Sequence, residues 1–118
     1  MKDFRELKVW QKAVAFFERV VNDVEKFPSS EAARVIANQV LRSTSSISAN
    51  IAEGFGRHKG AEYVHYLYIA RGSTNESLDW FEKIHRLGYI ESDIFLEREK
   101  DLEEVRAMLT SMIDKIAR

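Results

Sequence analysis

The chain has 118 residues, one net negative charge, no cysteine and a single proline. At this length folding removes roughly two-thirds of the unfolded chain's surface from water, enough for one core without metal or disulfide staples. Hydrophobic residues at 45% and charged residues at 31% argue against disorder, and the missing cysteines exclude a disulfide scaffold and a Cys-ligated zinc site.

The opening run Met1-Lys2-Asp3-Phe4-Arg5-Glu6 carries charges where a secretory leader needs an apolar stretch, so the expected location is the cytoplasm. The longest strictly apolar runs, 13–17 and 66–70, are too short to span a bilayer, and no membrane partner is expected.

Pro28, the cluster Gly54-Phe55-Gly56…Gly60 and Gly88 cut the chain into four segments, each with helical periodicity. In the first, Leu7, Trp10, Ala13, Val14, Phe17, Val20, Val21, Val24 and Phe27 recur at steps of three and four; Asp3 with Glu6 offers a capping box at its start, and a start a few residues later fits equally well. The second opens at Ser29 or Ser30 and carries Ile36, Val40, Ile47 and Ile51 on one side. The third shows Val64, Leu67, Thr74, Leu78, Phe81 and Leu87. Gly72 inside it marks a close helix approach. The fourth, capped by Ser92 or Asp93, steps through Leu102, Val105, Leu109, Met112 and Ile116, a coiled-coil-like seam.

No segment alternates with period two. The expected fold is therefore all-α, one domain over 1–118 with helices at about 5–27, 29–54, 61–87 and 93–117. Short connections make neighbours antiparallel, giving an up-down-up-down four-helix bundle.

Charge is uneven. Residues 1–60 hold ten Lys/Arg against seven Asp/Glu, and residues 61–118 hold eight against twelve. The acids that open helix 4 read as a solvated face favoured by the helix dipole. More informative is an absence: residues 35–52 contain one charged side chain, Arg42, and residues 63–75 contain one, Arg71. The outer positions there hold Asn38, Gln39, Ser43, Ser45, Ser46, Ala49 and Asn50, with Tyr63, Tyr66 and Tyr68 on helix 3. A helix facing water shows a charged face, so this hairpin is expected to be covered by a neighbouring subunit. Alternating helix directions also gather Lys2, Arg5, Lys8, Arg57, His58, Lys59, Lys115 and Arg118 at one pole, which a ring of subunits would repeat.

Catalytic chemistry finds little footing. The pairs Glu62/His65 and Glu82/His85 have a di-metal spacing, but both fall on helix 3, roughly 30 Å apart, so they cannot share a site. The glycine cluster lacks the preceding strand and the Gly-Lys-Ser/Thr ending of a phosphate loop. One polar line is harder to set aside: Gln39, Ser43, Ser46, Asn50, Glu53 and Arg57 follow one another along helix 2. Pairing about the turn would place Asn50 and Glu53 near Glu62 and His65, and Arg42 near Glu76. A network fixing helix register or an interface explains such residues better than catalysis. No catalytic residue, metal or cofactor is expected.

Phe4-x-x-Leu7-x-Val9-Trp10-Gln11-x-Ala13, Ser46-Ile47-Ser48-Ala49-Asn50-Ile51-Ala52-Glu53-Gly54 with Arg57, Ile69-Ala70-Arg71-Gly72-Ser73-x-x-Glu76 and Leu87-Gly88-Tyr89-Ile90 together resemble the four helix bundle proteins encoded by 23S rRNA intervening sequences. Those proteins are also described as ribosomal-protein-like. Ser48 departs from the family, which often has proline there, and so does the Ser43-Thr44 pair, where many members carry a basic or small residue. The resemblance implies a bacterial four-helix bundle assembling as a ring, a homopentamer. It also implies a distant relative in the accessory variability protein of diversity-generating retroelements, which works with RNA and a reverse transcriptase through a basic surface. The expected function is a non-enzymatic homo-oligomer that binds structured RNA or an RNA-handling protein through Lys2, Arg5, Lys8, Arg57, His58 and Lys59. Gln39, Arg42, Ser46, Asn50, Glu53 and Glu76 serve as polar network or interface. The alternative is a protein-interaction scaffold without nucleic acid.

Overall fold

The computed structural model describes residues 3–117. Lys2, a candidate contact, and Arg118 lie outside the described residues. Among the described residues there are four α-helices and no strand: α1 Lys8–Glu25, α2 Glu31–Phe55, α3 Gly60–Arg86 and α4 Ser92–Ile116, preceded by a 3-10 turn Phe4–Glu6. They fill a rod of 45 × 21 × 20 Å. None of these helices is long and apolar enough to cross a membrane.

The first helix starts at Lys8, the later of the two starts that the sequence left open. The Asp3/Glu6 capping box is present: Arg5 N–H donates to Asp3 Oδ1 at 2.8 Å and Asp3 N–H to Glu6 Oε1 at 3.1 Å. It caps the 3-10 turn, though, and Leu7 then turns extended (φ −71°, ψ 124°) before α1 begins. The break folds the turn back over α1. Phe4 meets Trp10 edge-on at 5.3 Å, and Gln11 Nε2 donates to the Arg5 carbonyl at 2.8 Å.

The other boundaries follow local chemistry. Ser30 Oγ accepts from Ala33 N–H and opens α2. Gly88, at φ +75°, ends α3: its N–H donates to the His85 carbonyl and Tyr89 N–H to the Ile84 carbonyl, closing a Schellman turn. Helix α4 has neither expected cap. Its N-cap is Glu91 without a side-chain bond, while Ser92 Oγ pairs with His85 Nε2 at 3.2 Å.

Three helix pairs run antiparallel, as their polar contacts record. Between α2 and α3, Arg42 meets Glu76, Ser43 meets Ser77 and Ser46 meets Ser73. Between α3 and α4, Arg71 donates to Thr110 at 3.1 Å and Arg106 to Asn75 at 2.9 Å. Between α1 and α4, Lys12 pairs with Glu104, Arg19 with Asp101 and Asp23 with Arg98. Hence α1 and α3 point the same way, and their N-termini lie toward one end.

The core contains Phe16 and Phe81, edge-on at 5.8 Å, with Ile47, Ile51, Leu67, Ile84, Leu102 and Leu109 fully buried around them. Each such side chain contributes about 1.5–3 kcal/mol of transfer free energy. The buried face of α1 differs from the sequence reading. Val9, Ala13, Phe16 and Val20 are buried, while Trp10, Val14 and Phe17 are only half-buried. The buried line continues into Asp23, a polar residue, so apolar periodicity favoured the line beside it. Leu87, placed in the core by its spacing, is 53% exposed just past the end of α3.

Candidate functional site

The polar line of α2 lies in the groove against α3 and zips the two helices together. Ser43 and Ser77 are fully buried, with hydroxyl oxygens 2.9 Å apart; Ser46 and Ser73 repeat the arrangement at 2.9 Å. Asn50 Nδ2 donates to the Ser46 carbonyl at 2.8 Å and to its hydroxyl at 3.0 Å. Arg42 bridges Gln39 Oε1 and the Glu76 carboxylate, the one long-range pair that the sequence placed correctly. Among the described residues no buried side-chain polar atom lacks a partner. Ser43, read as an outer position, therefore sits in the core. Hydroxyls bonded to each other and to carbonyls fix helix register.

Near the turn Glu53 accepts from Arg57 at 3.0 Å, one helical turn along, and Arg57 lines one pocket with Glu62, His65 and Tyr66. At Gly54 the two helices touch. A Cβ there would lie 2.8 Å from Tyr66 Cβ and 3.0 Å from Tyr63 Cδ1, so the tyrosines press directly on the α2 backbone. Burial pushes the Tyr63 phenol up from its ordinary pKa. The close approach assigned to Gly72 belongs to Gly54; Gly72 is exposed with nothing near it. Gly54→Ala should cost about 1–3 kcal/mol by forcing α2 and α3 apart, read as a lower thermal midpoint by circular dichroism.

The basic end is assembled in part. Gly60 lies against Ile116, which brings the α2–α3 turn to the end of α4, and the 3-10 turn packs on both α1 and α2. Arg57 donates to Tyr66 Oη at 2.8 Å and to Glu53, with its guanidinium 4.8 Å over the Tyr66 ring. Arg5 pairs with Asp3 at 2.9 Å. Lys8, His58 and Lys59 are exposed and make no ion pair among the described residues. Lys8 is the first residue of α1 and Lys59 the N-cap of α3. A helix start is where the macrodipole opposes a cation, by about 0.3–1 kcal/mol.

Helix α4 is less of a bare acidic face than its composition suggested, because Asp101 and Glu104 hold Arg19 and Lys12 of α1. The hydrogen bond from Lys12 keeps the Glu104 carboxyl below the ordinary carboxylate range. Sequence reasoning missed the pair Asp23–Arg98. Arg98 Nε and Nη2 donate to the two Asp23 oxygens at 2.7 and 3.0 Å, and both side chains are 10% exposed. The bond from Asp23 raises the Arg98 pKa despite burial. Of the two Glu-x-x-His pairs, the second is engaged elsewhere. Glu82 holds Arg86, and His85 stacks on Phe95 at 4.1 Å. Among the described residues no group of three or more metal-ligating side chains gathers.

The family model for the 23S rRNA-intervening sequence protein matches residues 5–111. The chain belongs to this family. A solved structure, described as a protein of unknown function from the S23 ribosomal protein family of Bacteroides thetaiotaomicron, is 31% identical to it. That match covers 89% of this chain and 97% of the other, with a TM-score of 0.83. No curated protein matches. In this chain the outer side of the α2–α3 hairpin exposes apolar groups. Val35 is 49%, Tyr68 50% and Ile69 38% accessible, and Asn38, Ser45, Ala49 and Gly72 are exposed as well.

Proposed function

We propose that the protein is a non-enzymatic, ring-forming homo-oligomer of up-down-up-down four-helix bundles, a pentamer, that binds structured RNA through its basic end. The observation that carries the RNA reading is the placement of Lys8 and Lys59 at two helix starts pointing toward one end, with His58 beside them. Helix starts already favour anions, and cations kept there against the macrodipole make sense when a phosphate is the partner. Arg57, held over the Tyr66 ring, adds a surface on which an unpaired base can stack. The uncharged outer face of α2–α3 supports the ring: exposed Tyr68, Ile69 and Val35 leave water when a head-to-tail contact closes. The ring repeats the basic end once per copy.

The test is the mass of the native particle by light scattering, together with its affinity for a hairpin RNA across a salt series. A mass several times 13.7 kDa and an affinity falling steeply with salt are expected. Lys8→Ala and Lys59→Ala should each flatten the salt slope by about one. Ala49→Glu and Ile69→Glu should reduce the particle to single chains with helicity intact. A single-chain mass in the unmutated protein overturns the ring, and salt-independent or absent RNA binding overturns the RNA reading. One observation favours a second reading, a protein-interaction scaffold. Arg5 and Arg57 are already held by Asp3 and Glu53, which thins the positive field at that end. Co-purification of one stoichiometric protein and no nucleic acid supports it.

A further inference from the structure

Seven of the nine described arginines have a carboxylate within 4 Å. Arg71 and Arg106 do not, and these two share one groove between α3 and α4, about 620 Å³ in volume. Neutral groups hold them in place. Arg71 Nη1 donates to Thr110 Oγ1 at 3.1 Å, and Arg106 Nη1 donates to Asn75 Oδ1 at 2.9 Å. The Arg71 guanidinium also lies 4.9 Å over the Tyr68 ring. Asn75 follows Arg71 by four residues on α3, and Thr110 follows Arg106 by four on α4. The two contacts are thus one helical turn apart, roughly 6 Å. Glu103 also lines the groove, but lies beyond ion-pair distance of both arginines.

Two guanidinium groups, oriented and without an ion-pair partner among the described residues, repel one another unless an anion lies between them. Each has five N–H donors and the recorded side-chain bonds use one. A carboxylate presents its two oxygens in one plane, matched to a single guanidinium fork; a phosphate presents them tetrahedrally, so that two forks can approach from different sides. The groove is also larger than a bare ion, so a phosphate carried on a larger group fits. We propose that Arg71 and Arg106 form a phosphate-binding site, about 16 Å along α3 from Gly60 at the basic end. It does not depend on the RNA reading. Inorganic phosphate and the phosphodiester of a nucleic acid are two sources of the same chemistry.

The full chain is titrated with sodium phosphate against sodium chloride of matched ionic strength. The readouts are phosphorus-31 line broadening and the thermal midpoint. Phosphate, and not chloride, should broaden the line and raise the midpoint saturably. The Arg71→Gln/Arg106→Gln variant should lose affinity by about tenfold or more, and Arg71→Lys/Arg106→Lys should lose part of it, because an ammonium lacks the planar fork. The variants' midpoints in chloride alone confirm that they fold. Equal responses to phosphate and chloride, or a phosphate response unchanged in the Gln variant, overturn the proposal. So does a variant that loses native mass while the unmutated protein ignores phosphate, since the groove then receives carboxylates of a second copy. In a parallel arm with hairpin RNA, a matching loss of RNA affinity in the Gln variant assigns the site to the nucleic-acid backbone. Unchanged RNA affinity assigns it to free phosphate. RNA binding absent throughout, with the phosphate response intact, overturns the RNA reading and leaves the site standing.

Discussion

Asp23→Ala should destabilise the fold by about 3–5 kcal/mol, because it strands the Arg98 guanidinium in the α1–α4 interface without its carboxylate. In a domain of this size the thermal midpoint should fall by ten degrees or more. The loss measures the cost of a buried charge left with only the distant Glu97 carboxylate, at 3.9 Å, which exceeds the net worth of the pair itself. Replacing both partners by apolar side chains of similar bulk, as in Asp23→Leu/Arg98→Met, should therefore recover much of what either single change loses. A double-mutant cycle from urea unfolding gives the coupling directly. An Asp23→Ala variant within about 1 kcal/mol of the parent would mean that the pair is open in solution.

Phe16→Ala should cost about 3–5 kcal/mol, and Phe17→Ala about 1–2 kcal/mol. Phe16 is fully buried with its ring edge-on to Phe81, so truncation leaves a cavity between α1 and α3. Phe17, its immediate neighbour, is half-buried and loses only part of its transfer term. Unfolding midpoints of the two variants decide which face of α1 meets the core. The reverse ranking would restore the face that apolar spacing alone selects, with Trp10 and Phe17 inward. Equal small losses would mean that α1 packs loosely.

The contrast between those neighbouring phenylalanines shows where sequence reasoning stops. A helix face is legible when its buried line is apolar throughout, as along α4 at Leu102, Val105 and Leu109. On α1 the buried line ends in Asp23, whose partner lies 75 residues away, and no local pattern announces it. Ser43 misled in the same way, since a buried hydroxyl looks like a surface one until Ser77 is placed opposite. At the basic end, composition named the cations and the turn. Only packing revealed that Arg57 is held by Glu53 and Tyr66 while Lys8 and Lys59 make no ion pair among the described residues.

By itself the sequence determined four helices, their breaks at Pro28, the glycine cluster and Gly88, the antiparallel meeting of Arg42 with Glu76, and the family. These depend on backbone preferences and short-range periodicity, which each segment carries within its own residues. Tertiary structure alone decided the inward face of α1, the choice of Gly54 over Gly72 for close helix contact, the buried Asp23–Arg98 pair and the two arginines without an ion pair among the described residues. Each of these depends on what stands opposite in space. The free energy of a charge, a hydroxyl or a missing side chain is set by its neighbours, and distant segments supply them.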